Sequence, residues 1–166
     1  MKHVLTCTIR LAVALACMAA PACDNNSGPS SVETAAQVQG TWTGEYTVSA
    51  CNDQAAPGFC SEFVPVGTAL PVQIVLTQSG QQLSGTTNLG AFSIPVSGTI
   101  NGSRIVLSGS GSVPFESLST TVTLSNWNTV VSGSNMTGTW RTTFSIVGFP
   151  GSAFIDSTIR VVTKTG

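Results

Sequence analysis

The side chains in this sequence that could do chemistry are few and unevenly placed. Five thiols stand at Cys7, Cys17, Cys23, Cys51 and Cys60, the only histidine is His3, and the carboxylates are Asp24, Glu33, Glu45, Asp53, Glu62, Glu116 and Asp156. A thiol becomes a nucleophile or metal ligand when a base or cation lowers its pKa, and otherwise pairs or stays inert. His3 lies ahead of an apolar run expected to be removed, so the chain that remains has no imidazole base and no histidine metal ligand. The serines are many, but none sits in a nucleophile-elbow pattern. The carboxylates are scattered without the pairing that glycoside chemistry uses, and Asp53 and Glu62 alone make a poor calcium loop. The expectation is a protein that is not an enzyme and holds no metal and no cofactor.

The thiols report on address instead. Lys2 and Arg10 precede the run LAVALACMAA, which is too short to span a bilayer as a mature helix and has the form of a secretory signal peptide, residues 1–22. Its flank, APAC, suits two cleavages. Ala20 and Ala22 fit an ordinary signal peptidase, while small residues directly before Cys23 resemble the lipobox of bacterial lipoproteins. Thiol parity separates them. Lipidation of Cys23 leaves Cys51 and Cys60 as an even pair in an oxidising compartment, whereas ordinary cleavage leaves an odd thiol at the new N-terminus. The lipoprotein resemblance implies a chain held to a membrane of the bacterial cell envelope by acyl groups on Cys23. Residues 23–38 then read as a tether, DNNSGPSS, followed by a short helical turn with Ser30 and Glu33 as a capping box.

Residues 39–166 form the folded domain. Past Cys23 the only cations are Arg104, Arg141, Arg160 and Lys164, and all seven carboxylates remain, so no basic stripe exists for nucleic acid. Apolar residues alternate with Ser, Thr, Gln and Asn at period two, which is the pattern of half-buried strands. The inward face holds Trp42, Tyr46 and Val48; then Leu70, Val72, Ile74 and Leu76; Leu83; and Phe92, Ile94, Val96 and Ile100. After the hairpin signal Asn101-Gly102 it continues with Ile105 and Leu107. A glycine-rich loop around GSGSVP is expected next, and then Leu118, Val122 and Leu124; Met136, Trp140, Phe144 and Ile146; and Ile155, Ile159 and Val161. Eight strands with mostly short connections predict an all-β, antiparallel up-and-down meander barrel, with a two-sheet sandwich as the alternative. Gly44, Gly85, Gly98 and Gly138 share the inward parity, which suits either sharp coiling of the sheet or room for a large neighbour.

Gly40-Thr41-Trp42, preceded by a short turn and opening the first strand of such a meander, resembles the G-x-W signature of the lipocalins and the wider calycin group, avidins included. The resemblance implies a tryptophan across the closed end of the barrel, covered by a basic residue from the last strand, here Arg160. It also implies a large loop at the open end between the first two strands. That loop is SACNDQAAPGFCSEFVPVG, bracketed by Cys51 and Cys60. A disulfide there would staple the loop and shape it as a lid carrying Phe59 and Phe63. With Trp140 these are the candidate contacts for a small apolar ligand. A barrel filled by its own bulky side chains would instead serve as a structural or interaction module meeting another envelope protein.

Overall fold

The computed structural model describes residues 34–54, 57–90, 92–115, 118–147 and 151–166. The expected signal peptide, Cys23, the expected tether and the Ser30–Glu33 capping box expected from the sequence lie outside these residues.

Eight strands run in chain order: β1 (Gly40–Asn52), β2 (Ala69–Ser79), β3 (Gln82–Leu89), β4 (Phe92–Asn101), β5 (Arg104–Phe115), β6 (Leu118–Ser132), β7 (Asn135–Ile146) and β8 (Ser152–Lys164), with one short helix, α1 (Phe59–Glu62), between β1 and β2. Each strand pairs antiparallel with the next, and β1 pairs antiparallel with β8, for example Tyr46 with Ile159, so the sheet closes into a barrel without free edges. That closing pair excludes the sandwich, whose sheets would leave β1 and β8 unpaired. The expected interior forms as one cluster: Trp42, Val72, Ile74, Leu76, Ile94, Val96, Leu124, Trp140 and Phe144 are buried, and Leu70 is half-buried at the rim.

The inward glycines serve coiling. A methyl group on Gly85 would land on the carbonyl of Val75, and one on Gly98 on the carbonyl of Val106, so the neighbouring strand already occupies the space a side chain would need. Glycine at these places lets adjacent backbones approach as the sheet bends round.

Residues 34–39 are irregular and their backbone bonds outward to the barrel: the Ala36 amide donates to the Gly102 carbonyl and the Val38 amide to Gln78 Oε1. The GSGSVP stretch is no loop but part of β5, paired with β6 through Gly109–Leu124 to Phe115–Leu118. In β6 the strand continues past Asn126, whose φ of 51° and shifted register mark a β-bulge between Ser125 and Asn128. One extra residue reverses the facing, so Trp127, Thr129 and Val131 point inward where Leu124 did before. A second bulge lies in β8, where Ile159 pairs with Tyr46 and Val161 with Glu45, leaving Arg160 as the extra residue. Beyond it Val162 is buried, on the parity opposite to the one period two assigned.

Candidate functional site

The two ends of the barrel are built differently, and β1 runs through both. At the closed end Gly40 has φ 129°, a conformation L-residues avoid, and a side chain there would strike the Gly166 carbonyl. Two residues on, Trp42 is fully buried and its indole N–H donates to the Val38 carbonyl at 2.8 Å. Gln78 holds the covering segment from the other side, accepting from the Val38 amide and donating to the Ala36 carbonyl. The basic residue above Trp42 is Lys164, with Nζ 5.9 Å from the ring centre, while Arg160 is exposed. The β8 bulge explains this correction: one inserted residue moves the inward parity onto Val162 and Lys164.

The middle of the barrel is filled. Trp127 and Trp140 stack with centres 4.8 Å apart and planes 17° apart, and Tyr46 tilts against Trp140 at 5.0 Å. Each indole donates to a threonine two residues on, Trp127 to Thr129 and Trp140 to Thr142, both at 3.1 Å.

Above this layer the barrel is hollow. A cavity of about 240 Å³ is floored and walled by Tyr46, Leu70, Leu89, Phe92, Thr120, Phe144, Ile146 and Ile155, and roofed by Phe59, Phe63 and Val64. Among the described residues no carboxylate, guanidinium or ammonium lines it. The roof is α1 and the turn after it. Cys51, at the end of β1, is bonded to Cys60 within α1, with Cα atoms 5.8 Å apart. The Asp53 carboxylate accepts from the Gly58 and Cys60 amides at 3.0 and 3.2 Å, fixing the start of the helix. So held, Phe59 turns inward onto Phe144 at 5.1 Å and onto Phe63 at 5.7 Å.

Of the residues expected to meet a ligand, Phe59 and Phe63 line the cavity, while Trp140 packs against Tyr46 and is not part of the lining. The sequence marks Tyr46 and Phe144 only as inward strand positions and does not mark Thr120, since nothing in a period-two pattern distinguishes a residue under a cavity from one in a filled layer. Burial pushes the Tyr46 phenol up to about 12, so it is neutral through the physiological range. On the outer wall Arg141 and Asp156 face each other across β7 and β8 with bonds of 2.6 and 2.8 Å, and the guanidinium holds the Asp156 carboxyl below its ordinary value. Among the described residues no three His, Cys, Asp or Glu side chains converge as metal ligands.

Compared with protein-family models, with curated proteins and with solved structures, the chain has no significant match.

Proposed function

We propose that this chain is a lipid-anchored, non-catalytic binding protein of the bacterial cell envelope, related in architecture to the lipocalins, whose open end takes up a small apolar ligand. The observation that carries the reading is the asymmetry of the interior. One end is sealed by Trp42 and residues 34–39, while the other keeps an apolar cavity under a disulfide-held roof. Apolar cavities with a few polar groups are the usual form of small-molecule sites. Anchoring rests on Cys23 and its flank, and a Cys23→Ser form is expected to leave the membrane fraction of its host. Titration with the fluorescent probe 1-aminonaphthalene, whose eleven non-hydrogen atoms suit the cavity, tests the binding. Emission should rise to saturation with the native domain and fail to do so with Leu70→Trp, which fills the mouth; absence of a saturable rise overturns the binding reading.

The filled-module reading has its own support in the Trp127–Trp140 layer and in exposed Phe63, Val66 and Val147. It is favoured if the probe does not bind and the protein is recovered from its host with another envelope protein.

A further inference from the structure

One residue that lines the cavity carries a hydroxyl that the fold leaves unserved. Thr120 lines it, is 2 % exposed, and its hydroxyl is buried with no hydrogen-bond partner. Other interior threonines are better provided for: Thr129 and Thr142 each accept an indole N–H from the tryptophan two residues before. Thr47, Thr87 and Ser157 also have buried hydroxyls without partners, but none of the three lines the cavity. A buried hydroxyl without a partner is rare enough to need a cause. Here the cause is available on the cavity side, where a bound molecule can present an oxygen to Thr120 Oγ1.

The rest of the lining restricts that molecule. A cavity of 150 Å³ holds benzene, so one of about 240 Å³ holds about ten non-hydrogen atoms. Rings of Tyr46, Phe59, Phe92 and Phe144 surround the space, which suits a flat ring better than a flexible chain. The described lining residues carry no charge, which disfavours an ionised ligand, whose charge would be buried unpaired.

We infer that the open end selects an uncharged, mono- or bicyclic ring compound carrying a hydroxyl or carbonyl oxygen, and that Thr120 Oγ1 is the hydrogen-bonding group that distinguishes it from the bare hydrocarbon. This inference rests on the reading of the open end as a binding site. Calorimetric titrations of the native domain, Thr120→Val and Thr120→Ser with naphthalene, 2-naphthol and 2-naphthoate test it. The native domain should bind 2-naphthol about five-fold more tightly than naphthalene, the size of effect one added hydrogen bond gives. The naphthoate should not bind measurably. Valine at 120 should abolish the preference while leaving naphthalene binding intact, and serine should restore it. Removal of an unsatisfied hydroxyl should not lower the melting temperature, so the valine form remains testable. Equal affinity of native protein for naphthol and naphthalene, or a preference that survives in Thr120→Val, overturns the assignment of Thr120 while the binding site stands. Failure of both neutral compounds to bind the folded native domain overturns the site itself.

Discussion

The closed and open ends of this barrel share strands, register and alternation, yet they spend their apolar side chains differently. At the closed end Trp42 and Val38 have no exposed surface, and the segment 34–39 lies against Trp42. At the open end Tyr46, Thr120, Phe144 and Ile155 face a space covered, among the described residues, by a four-residue helix and its following turn. The difference teaches that closure of the sheet does not by itself fill a barrel. Filling depends on what each end is capped with. Residues 34–39 lie across one end as an extended strap bonded at several points, whereas α1 is held over the other by one covalent bond and the Asp53 carboxylate.

If the closed end is the structural one, truncating its tryptophan should be the most damaging change. Trp42→Ala is expected to lower stability by about 3–5 kcal/mol in urea denaturation, the range for a large aromatic lost from a core. Phe59→Ala, although it also removes a buried ring, should cost less than about 2 kcal/mol, because the roof can open locally without the barrel. Comparable losses for the two would erase the distinction between the ends. Trp42→Phe, which keeps a ring but loses the bond to the Val38 carbonyl, serves as the milder comparison if the alanine form does not fold.

Next in size is the disulfide. Cys51 and Cys60 are nine residues apart, and the chain-entropy estimate for so short a loop is about 2–3 kcal/mol. Reduction should therefore lower the melting temperature modestly. Its clearest effect should be faster amide exchange in α1, with protection in β2 to β4 unchanged; loosening that spreads to Trp42 would show the two ends to be one cooperative unit.

The smallest effect separates the ends by pH. Tyr46 is the only tyrosine, so tyrosinate absorbance reports it alone. Its folded pKa, about 12, lies above the unfolded value of 10, so the neutral phenol contributes stability that is fully present below pH 10 and lost as pH rises towards 12. Stability should fall over that window, and Tyr46→Phe should flatten the fall. A midpoint near 10 would mean that the open end is already wet.

The barrel was legible in the sequence because alternation fixes facing, and facing in eight successive strands leaves few architectures. Alternation also explains what was missed. The bulges at Asn126 and Arg160 each add one residue, and past an added residue the same pattern predicts the wrong face. Trp127 lies beyond the first bulge, and Lys164, beyond the second, stands over Trp42 where the resemblance implied Arg160. An asparagine with positive φ leaves only a weak trace in sequence, and Arg160 leaves none. The cavity was less legible still. Cys51 and Cys60 marked the roof and Phe59 and Phe63 its inner surface, but Thr120 resembles every other threonine until the side chains around it are placed.

The stacked pair of Trp127 and Trp140 gives the molecule an optical property of its own. Two near-parallel indoles 4.8 Å apart behave as coupled oscillators, so their absorption should split and sign the near-ultraviolet dichroism of the folded barrel. Trp42, at the sealed end, adds a third indole outside the stack. Tyr46 touches Trp140 on one side and the cavity on the other, which makes it an antenna: light it absorbs passes to the indole pair. A guest that meets the Tyr46 ring therefore alters a signal arising deeper in the barrel, and occupancy becomes readable in intrinsic emission without attaching a label.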